Sequence, residues 1–210
     1  MRVVVTKGKA MKQQLQENLM ELGIDAIAAA PAEDVKRLVK CVSKDDSRKV
    51  LTGVLIADGQ CVATDGRVLA IRKSEYTFAT ETDVIIDPKQ LKNVKLGKND
   101  LLVIDTNGHG YAIGKSHNGE YNKLSFAYAI DVRVSCDYMN AYPDYTKVMP
   151  ELTDCGTEYN SLLIDPARLA QLMTALDRPC SKLKMHYTHK NGPLVFTSEE
   201  LYGIIMPLRT

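Results

Sequence analysis

Apolar positions alternate between two periods along the chain, and the changes of period mark out its elements. A strand-like run at residues 3–6 is followed, from about Lys9, by Met11, Leu15, Leu19 and Leu22 at near-helical spacing, with Gly23 placed to end that helix. Residues 24–30 read as extended and stop at Pro31. Three short β runs follow at 50–56, 60–64 and 67–72, joined by the turn pairs Asp58-Gly59 and Asp65-Gly66. They predict an antiparallel meander.

A repeat says more than any single element. Ala28-Ala29-Ala30-Pro31 leads into Ala32-Glu33-Asp34-Val35, Val84-Ile85-Ile86-Asp87-Pro88 into Lys89-Gln90-Leu91, and Leu162-Leu163-Ile164-Asp165-Pro166 into Ala167-Arg168-Leu169. Each copy is an apolar strand running into a helix with proline at its first position. In the second and third copies Asp is the N-cap, its carboxylate accepting an orphan N–H while proline fills a site that needs no donor. The first helix shows Val35, Leu38, Val39 and Val42, and the third Leu169, Leu172, Met173 and Leu176, one apolar face each. The middle helix (Leu91, Val94) is short and stops near Gly97. Behind the middle helix come β runs at 101–105, 109–114 and 123–130, with turns at Asn107-Gly108 and Asn118-Gly119. Behind the third come 183–188, 194–197 and 202–206, with Asn191-Gly192 between the first two. Such a unit cannot bury both faces alone, so neighbouring units share a continuous sheet. The expectation is an α+β fold of repeated strand-helix-strand modules, with helices on one face of curved antiparallel sheets.

Composition narrows the class. With 210 residues, 45% of them hydrophobic, the chain can build one large or two small cores. No apolar run approaches the roughly 20 residues of a membrane span, and the first five residues lack a signal peptide's apolar stretch, so a cytoplasmic protein is expected. Five cysteines, odd in number and without a Cys-x-x-Cys pair, fit a reducing compartment. A net charge of +1 leaves nucleic acid open, because the footprint lies in the distribution of charge. Opposite the apolar faces stand Lys36, Arg37 and Lys40 on the first helix, Lys89, Lys92 and Lys95 on the second, and Arg168 on the third. They read either as an ordinary solvated face or as a track for phosphates that reads no bases. No aromatic platform accompanies them, which argues against a single-strand binder.

Catalytic constellations are hard to find. His186 and His189 fall on one predicted strand, three apart and so on opposite faces, which disfavours joint metal ligation. His109 and His117 sit beside turn glycines, and Asp83, Asp87, Asp100 and Asp105 are scattered at strand ends. Neither a Gly-x-Gly-x-x-Gly run nor a phosphate loop occurs. The residues suggest no enzyme, cofactor or metal.

Three stretches carry a resemblance. Leu51-Thr52-Gly53-Val54-Leu55, a short turn, then Val62-Ala63-Thr64-Asp65-Gly66-Arg67-Val68-Leu69-Ala70 closely resembles the middle domain of the bacterial DNA polymerase sliding clamp, the β subunit of DNA polymerase III. The connector Tyr142-Pro143-Asp144-Tyr145, running on to Pro150, is similar to that family's Phe-Pro-Asp-Tyr segment, and Met206-Pro207-Leu208-Arg209 to its C-terminus. By themselves the two read as a tyrosine-packed linker and a strand closing the core. The resemblance runs from about Ile24 to the end and divides the chain into a strand-helix segment (1–23), a middle-domain-like part (24–150) and a half-domain (151–210), a shortened clamp.

The resemblance implies a ring whose helices line a channel around duplex DNA, gripped without sequence preference. It also implies a hydrophobic groove for short linear motifs of the replicative polymerase and clamp loader, and self-association into a homo-oligomer that acts as a processivity factor in DNA replication. Carried over by position, the groove is Leu51, Thr64, Gly66, Arg67, Leu69, Pro143, Val148, Ile204, Met206, Pro207, Leu208 and Arg209, a set of apolar pockets with a few polar groups. The family has His-Arg after Asp-Gly where this chain has Arg67-Val68. Family rings contain twelve modules, so three per chain need four chains, or three chains with residues 1–23 as a fourth module. The alternative is a clamp-derived adaptor or decoy that binds the same peptides and never encircles DNA.

Overall fold

Nearly every strand buries both faces, and the alternation of its side chains assigns each face to a different core. The computed structural model describes residues 2–57, 59–79, 84–91, 96–97, 99–114, 127–130, 142–150, 163–176, 182–187 and 192–208. In order they form α1 (Arg2–Glu21), β1 (Ala26–Pro31), α2 (Ala32–Leu38), β2 (Val54–Ala57), β3 (Gln60–Thr64), β4 (Val68–Lys73), β5 (Phe78–Ala79), β6 (Val84–Ile86), α3 (Pro88–Leu91), β7 (Leu101–Asp105), β8 (Gly110–Ile113), β9 (Ala127–Ile130), α4 (Pro166–Leu176), β10 (Lys184–Tyr187), β11 (Leu194–Thr197) and β12 (Leu201–Ile205).

Two antiparallel sheets result. One runs β5-β1-β7-β8-β9 and the other β10-β11-β12-β4-β3-β2-β6. The first two modules exchange their leading strands: β1 pairs with β7 of the second unit, and β6 pairs with β2 of the first. The third unit then adds its last strand to the edge of the meander, with Ile204 opposite Leu69 and Gly203 opposite Ala70. The expected sharing of a continuous sheet therefore holds.

The central core lies between the helices and the inner faces of both sheets. It takes Ala28 and Ala30 of β1, Leu102 and Ile104 of β7, Val54 and Ile56 of β2, Cys61 and Ala63 of β3 and Val68 and Ala70 of β4, capped by Val35 and Leu38 of α2 and Leu172 and Leu176 of α4. A Cβ at Gly203 would stand 2.7 Å from Leu176 Cδ1, so glycine lets α4 lie close on β12. Arg72 of β4 is wholly buried; its Nε donates to Asp34 of α2 at 2.7 Å and its Nη1 to the Ala175 carbonyl of α4 at 2.8 Å. This pair ties both helices to the meander.

The outer faces are covered as well. Leu15 and Leu19 of α1, with Ile24, pack on Ala29, Phe78, Leu101, Val103 and Ile113 behind the first sheet. Tyr142, Tyr145 and Met149 pack on Leu55, Val62, Leu69, Ile71, Ile85, Val195 and Ile204 behind the second. Thus α1 lies on the opposite side of the sheets from α2 and α4.

Several sequence expectations need correction. Residues 3–6 are the start of α1 and not a strand: extending an existing helix avoids the nucleation cost, which outweighs the weak β preference of three valines. Residues 50–52 belong to a 3₁₀ turn, Asp46–Thr52, nucleated by Asp45, whose carboxylate accepts the Ser47 N–H at 3.0 Å; only 54–57 is strand. Pro31 ends β1 and stands before α2 instead of opening it. That helix tightens into a 3₁₀ turn at Val39–Cys41, leaving Val39 and Val42 only partly buried. Leu163 and Ile164 lie outside any strand. The Asp caps hold: Asp87 accepts from Lys89 N at 2.8 Å and Asp165 from Ala167 N at 2.9 Å. Val94, Asp58, the Asn118-Gly119 turn, Asn191, His117, His189 and Asp83 lie outside the described residues.

Candidate functional site

The site is built on the end of the meander where β12 joins it. Thr64, at the end of β3, is buried, and its hydroxyl donates to the Val68 carbonyl at 2.7 Å and accepts the Gly66 N–H at 3.1 Å. Asp65 Oδ1 accepts the N–H groups of Arg67 (2.8 Å) and Val68 (2.9 Å). Gly66 sits at φ 86°, a conformation that glycine adopts without steric cost. The Asp46–Thr52 turn, which carries half-buried Leu51, comes up beside this loop: a Cβ at Gly66 would stand 3.1 Å from Arg48 Nη1.

From this turn the C-terminal tail is suspended. Ile204 pairs with Leu69, the Met206 N–H donates to the Arg67 carbonyl at 3.0 Å, and the Leu208 N–H donates to the Leu163 carbonyl at 3.0 Å. Leu69 and Ile204 are buried in the outer cluster, under Tyr142, Tyr145 and Met149 of the connector. Tyr145 is fixed there by Gln60, whose Nε2 donates to its hydroxyl at 2.5 Å. Around this floor large apolar side chains stay in water: Val148 is 59% exposed, Met206 49%, Leu208 53% and Leu163 56%. Pro143 and Arg67 are exposed too, and Pro207 is half-buried.

Eleven of the twelve candidate groove positions lie among the described residues, and Arg209 lies outside them. The 3₁₀ turn with Leu51, the Asp65 turn and the tail come together at one end of the second sheet. The connector that carries Pro143 and Val148 packs along the outer face of that sheet. Sequence reasoning missed Leu163, because it was assigned to a strand, and missed the part played by Asp65, which a plain turn does not advertise.

The candidate DNA-facing residues divide. Lys36 is exposed on α2 and Lys40 on the 3₁₀ turn that follows it; the Lys36 Nζ reaches the Leu96 carbonyl. Arg37 pairs with Glu33 at 2.8 Å, and exposed Lys89 with Asp46 at 3.0 Å. Arg168 is turned to Asp65, with which it forms an ion pair, and its Nη1 also donates to Gln171 Oε1 at 3.2 Å. Lys92 and Lys95 lie outside the described residues.

Among the described residues, burial disfavours the ionised forms of two thiols and a phenol. Burial pushes the Cys41 thiol up to about 12, with the Asp65 carboxylate adding to the effect, and burial also raises Cys61 and the Tyr142 phenol. These thiols are poor nucleophiles. Among the described residues no group of three metal-ligating side chains occurs, and no helix is long and apolar enough to cross a membrane.

No protein-family model matches the chain, and no curated protein matches it. Solved structures do. The DNA polymerase sliding clamp of Bacillus subtilis shares 17% identity at a TM-score of 0.56, over 87% of this chain and 64% of its own. The β subunit of DNA polymerase III from Thermotoga maritima shares 14% at 0.58, over 89% and 66%. A Pseudomonas aeruginosa sliding clamp bound to griselimycin shares 15% at 0.56, over 87% and 65%. This chain therefore spans somewhat under two thirds of the length of these clamps. At such identities the likeness is one of architecture: the chain has the fold of the DNA polymerase sliding clamps, in the α+β form that its three modules foretold.

Proposed function

We propose that this protein is a clamp-like processivity factor: it self-associates around duplex DNA and holds short linear motifs of a polymerase or clamp loader in the groove between the meander and the C-terminal tail. The observation that carries the reading is that the exposed residues Met206, Leu208 and Leu163 are tied by backbone hydrogen bonds beside the buried Leu69–Ile204 pair. Exposed aliphatic residues clustered on ordered backbone suit a ligand with large apolar anchors, and methionine adapts to their shape. Thr64 and Asp65 spend their polar groups on holding the turn, and the exposed side chain of Arg67 is the polar group presented to a ligand. Lys36, Arg37, Lys40 and Lys89 supply non-specific phosphate contacts, and Lys92 and Lys95 are assigned the same role from the sequence pattern alone.

The test of the groove is binding of a short fluorescein-labelled peptide ending in Leu-Phe, read by anisotropy. The full chain is expected to bind it, and a chain lacking residues 206–210 is expected not to. Equal binding by both would sink the groove. A second reading, a peptide-binding adaptor that never encircles DNA, uses the same groove and is favoured by the pairing of Arg37 with Glu33, Lys89 with Asp46 and Arg168 with Asp65, which leaves fewer cations for phosphate. It differs in predicting no topological hold on DNA.

A further inference from the structure

Asp65 joins three parts of the site. Its Oδ1 fixes the turn through the N–H groups of Arg67 and Val68, and its Oδ2 is held by Nη1 of Arg168, from the first turn of α4. The guanidinium is braced in turn: Nη1 donates to Gln171 Oε1, and Gln171 Nε2 donates to the Lys40 carbonyl at 2.6 Å. Beyond the turn, the Arg67 carbonyl holds Met206, while the Leu163 carbonyl, just ahead of α4, holds Leu208. The tail carrying the two exposed apolar residues is therefore strung between the turn and the segment that leads into Arg168. The Asp65 side chain is 9% exposed and that of Arg168 27%.

We infer that Arg168 is a positioning residue of the groove and not a phosphate contact. The assignment rests on the groove reading above. Its charge is matched at contact distance by Asp65, and a phosphate could take the guanidinium only by leaving that largely buried carboxylate without a cation, a costly exchange. Loss of Arg168 frees Asp65, loosens the Arg67 and Val68 amides, and lets the Arg67 carbonyl that anchors Met206 drift. A site one support short binds less tightly although every contacting residue is present.

The test uses the full chain with Arg168→Gln, Arg168→Lys, Asp65→Asn and the double variant Asp65→Asn/Arg168→Gln. Peptide affinity is read by anisotropy with the Leu-Phe probe, turn order by amide hydrogen exchange at Arg67 and Val68, and DNA binding by its salt dependence. Arg168→Gln is expected to weaken the peptide about tenfold, the scale of one lost charge-assisted bond. It should speed exchange at both amides, and Arg168→Lys should recover part of each effect. The double variant should bind no worse than the weaker single one, because the two residues act as a unit. The slope of log K against log salt on duplex DNA should not change.

A wild-type chain that binds while Arg168→Gln binds equally well, with unaltered exchange, overturns the assignment alone. So does a salt slope shallower by about one, the signature of a lost phosphate contact. A wild-type chain that binds no peptide overturns the groove and this assignment together.

Discussion

Tyr142 carries a hydroxyl where the clamp family's similar segment has phenylalanine, and that oxygen is buried with the Thr64 backbone as its polar neighbour, too poorly placed for a well-formed hydrogen bond. An unsatisfied buried hydroxyl costs about 1–3 kcal/mol, so Tyr142→Phe is expected to raise the urea midpoint by an amount worth about 1 kcal/mol. A lower midpoint would mean that the hydroxyl has a role in the fold. On α2 and the 3₁₀ turn that follows it, charge decides the outcome. Each phosphate-neutralising lysine contributes about 0.9 to the salt slope, so Lys36→Gln/Lys40→Gln should flatten it by nearly two while leaving peptide affinity untouched. An unchanged slope would make this helix an ordinary solvated face. Which cations are spoken for was not legible in the sequence: the Arg168–Asp65 pair joins residues 103 apart, and no local pattern announces it.

The Arg72–Asp34 pair links α2 to the meander, with Arg72 also reaching the Ala175 carbonyl of α4, and its burial sets the size of the effect. Asp34→Ala leaves a buried guanidinium without its anion and is expected to cost about 3–5 kcal/mol in urea unfolding, whereas Asp34→Leu/Arg72→Met should regain most of that loss. A double variant no better than the single one would show that the pair does more than satisfy itself. The β7–β8 hairpin gives a pH-dependent counterpart. Burial alone would raise the Asp105 carboxyl, but the N–H groups of His109 (2.8 Å) and Asn107 (2.9 Å) and the Tyr111 hydroxyl (3.1 Å) outweigh it and hold the carboxyl below its usual range. A depressed carboxyl stabilises fully above the unfolded value of about 3.9, and the gain is lost as pH falls through the folded value. The gap between wild type and Asp105→Asn should therefore be full at neutral pH and close in acid; a gap independent of pH would contradict this. Periodicity found the meander, the Asp caps and the apolar face of α4, because each is local. It failed at residues 3–6 and 50–52, where β-branched runs join a helix and a turn that neighbouring residues nucleate. It could not see that the connector and α1 cover the outer faces, since strands buried on both sides read alike whatever covers them.

For the whole molecule, the three modules and their shared sheets were legible as a repeat, while the assembly was not. With α1 (Arg2–Glu21) behind the first sheet, that helix does not stand beside α2 and α4 as a further helix of that face. If the protein closes a ring as proposed, sedimentation of the purified protein is expected to show a defined oligomer that persists on dilution. A monomer at every concentration would leave the adaptor reading in its place. Encirclement itself is tested most directly by topology. The protein is loaded on a closed circular duplex, washed in high salt to strip electrostatic contacts, and the circle is then cut once. The expected result is retention on the closed circle and release on linearisation; loss in high salt before the cut, or equal retention after it, would contradict a clamp that surrounds DNA.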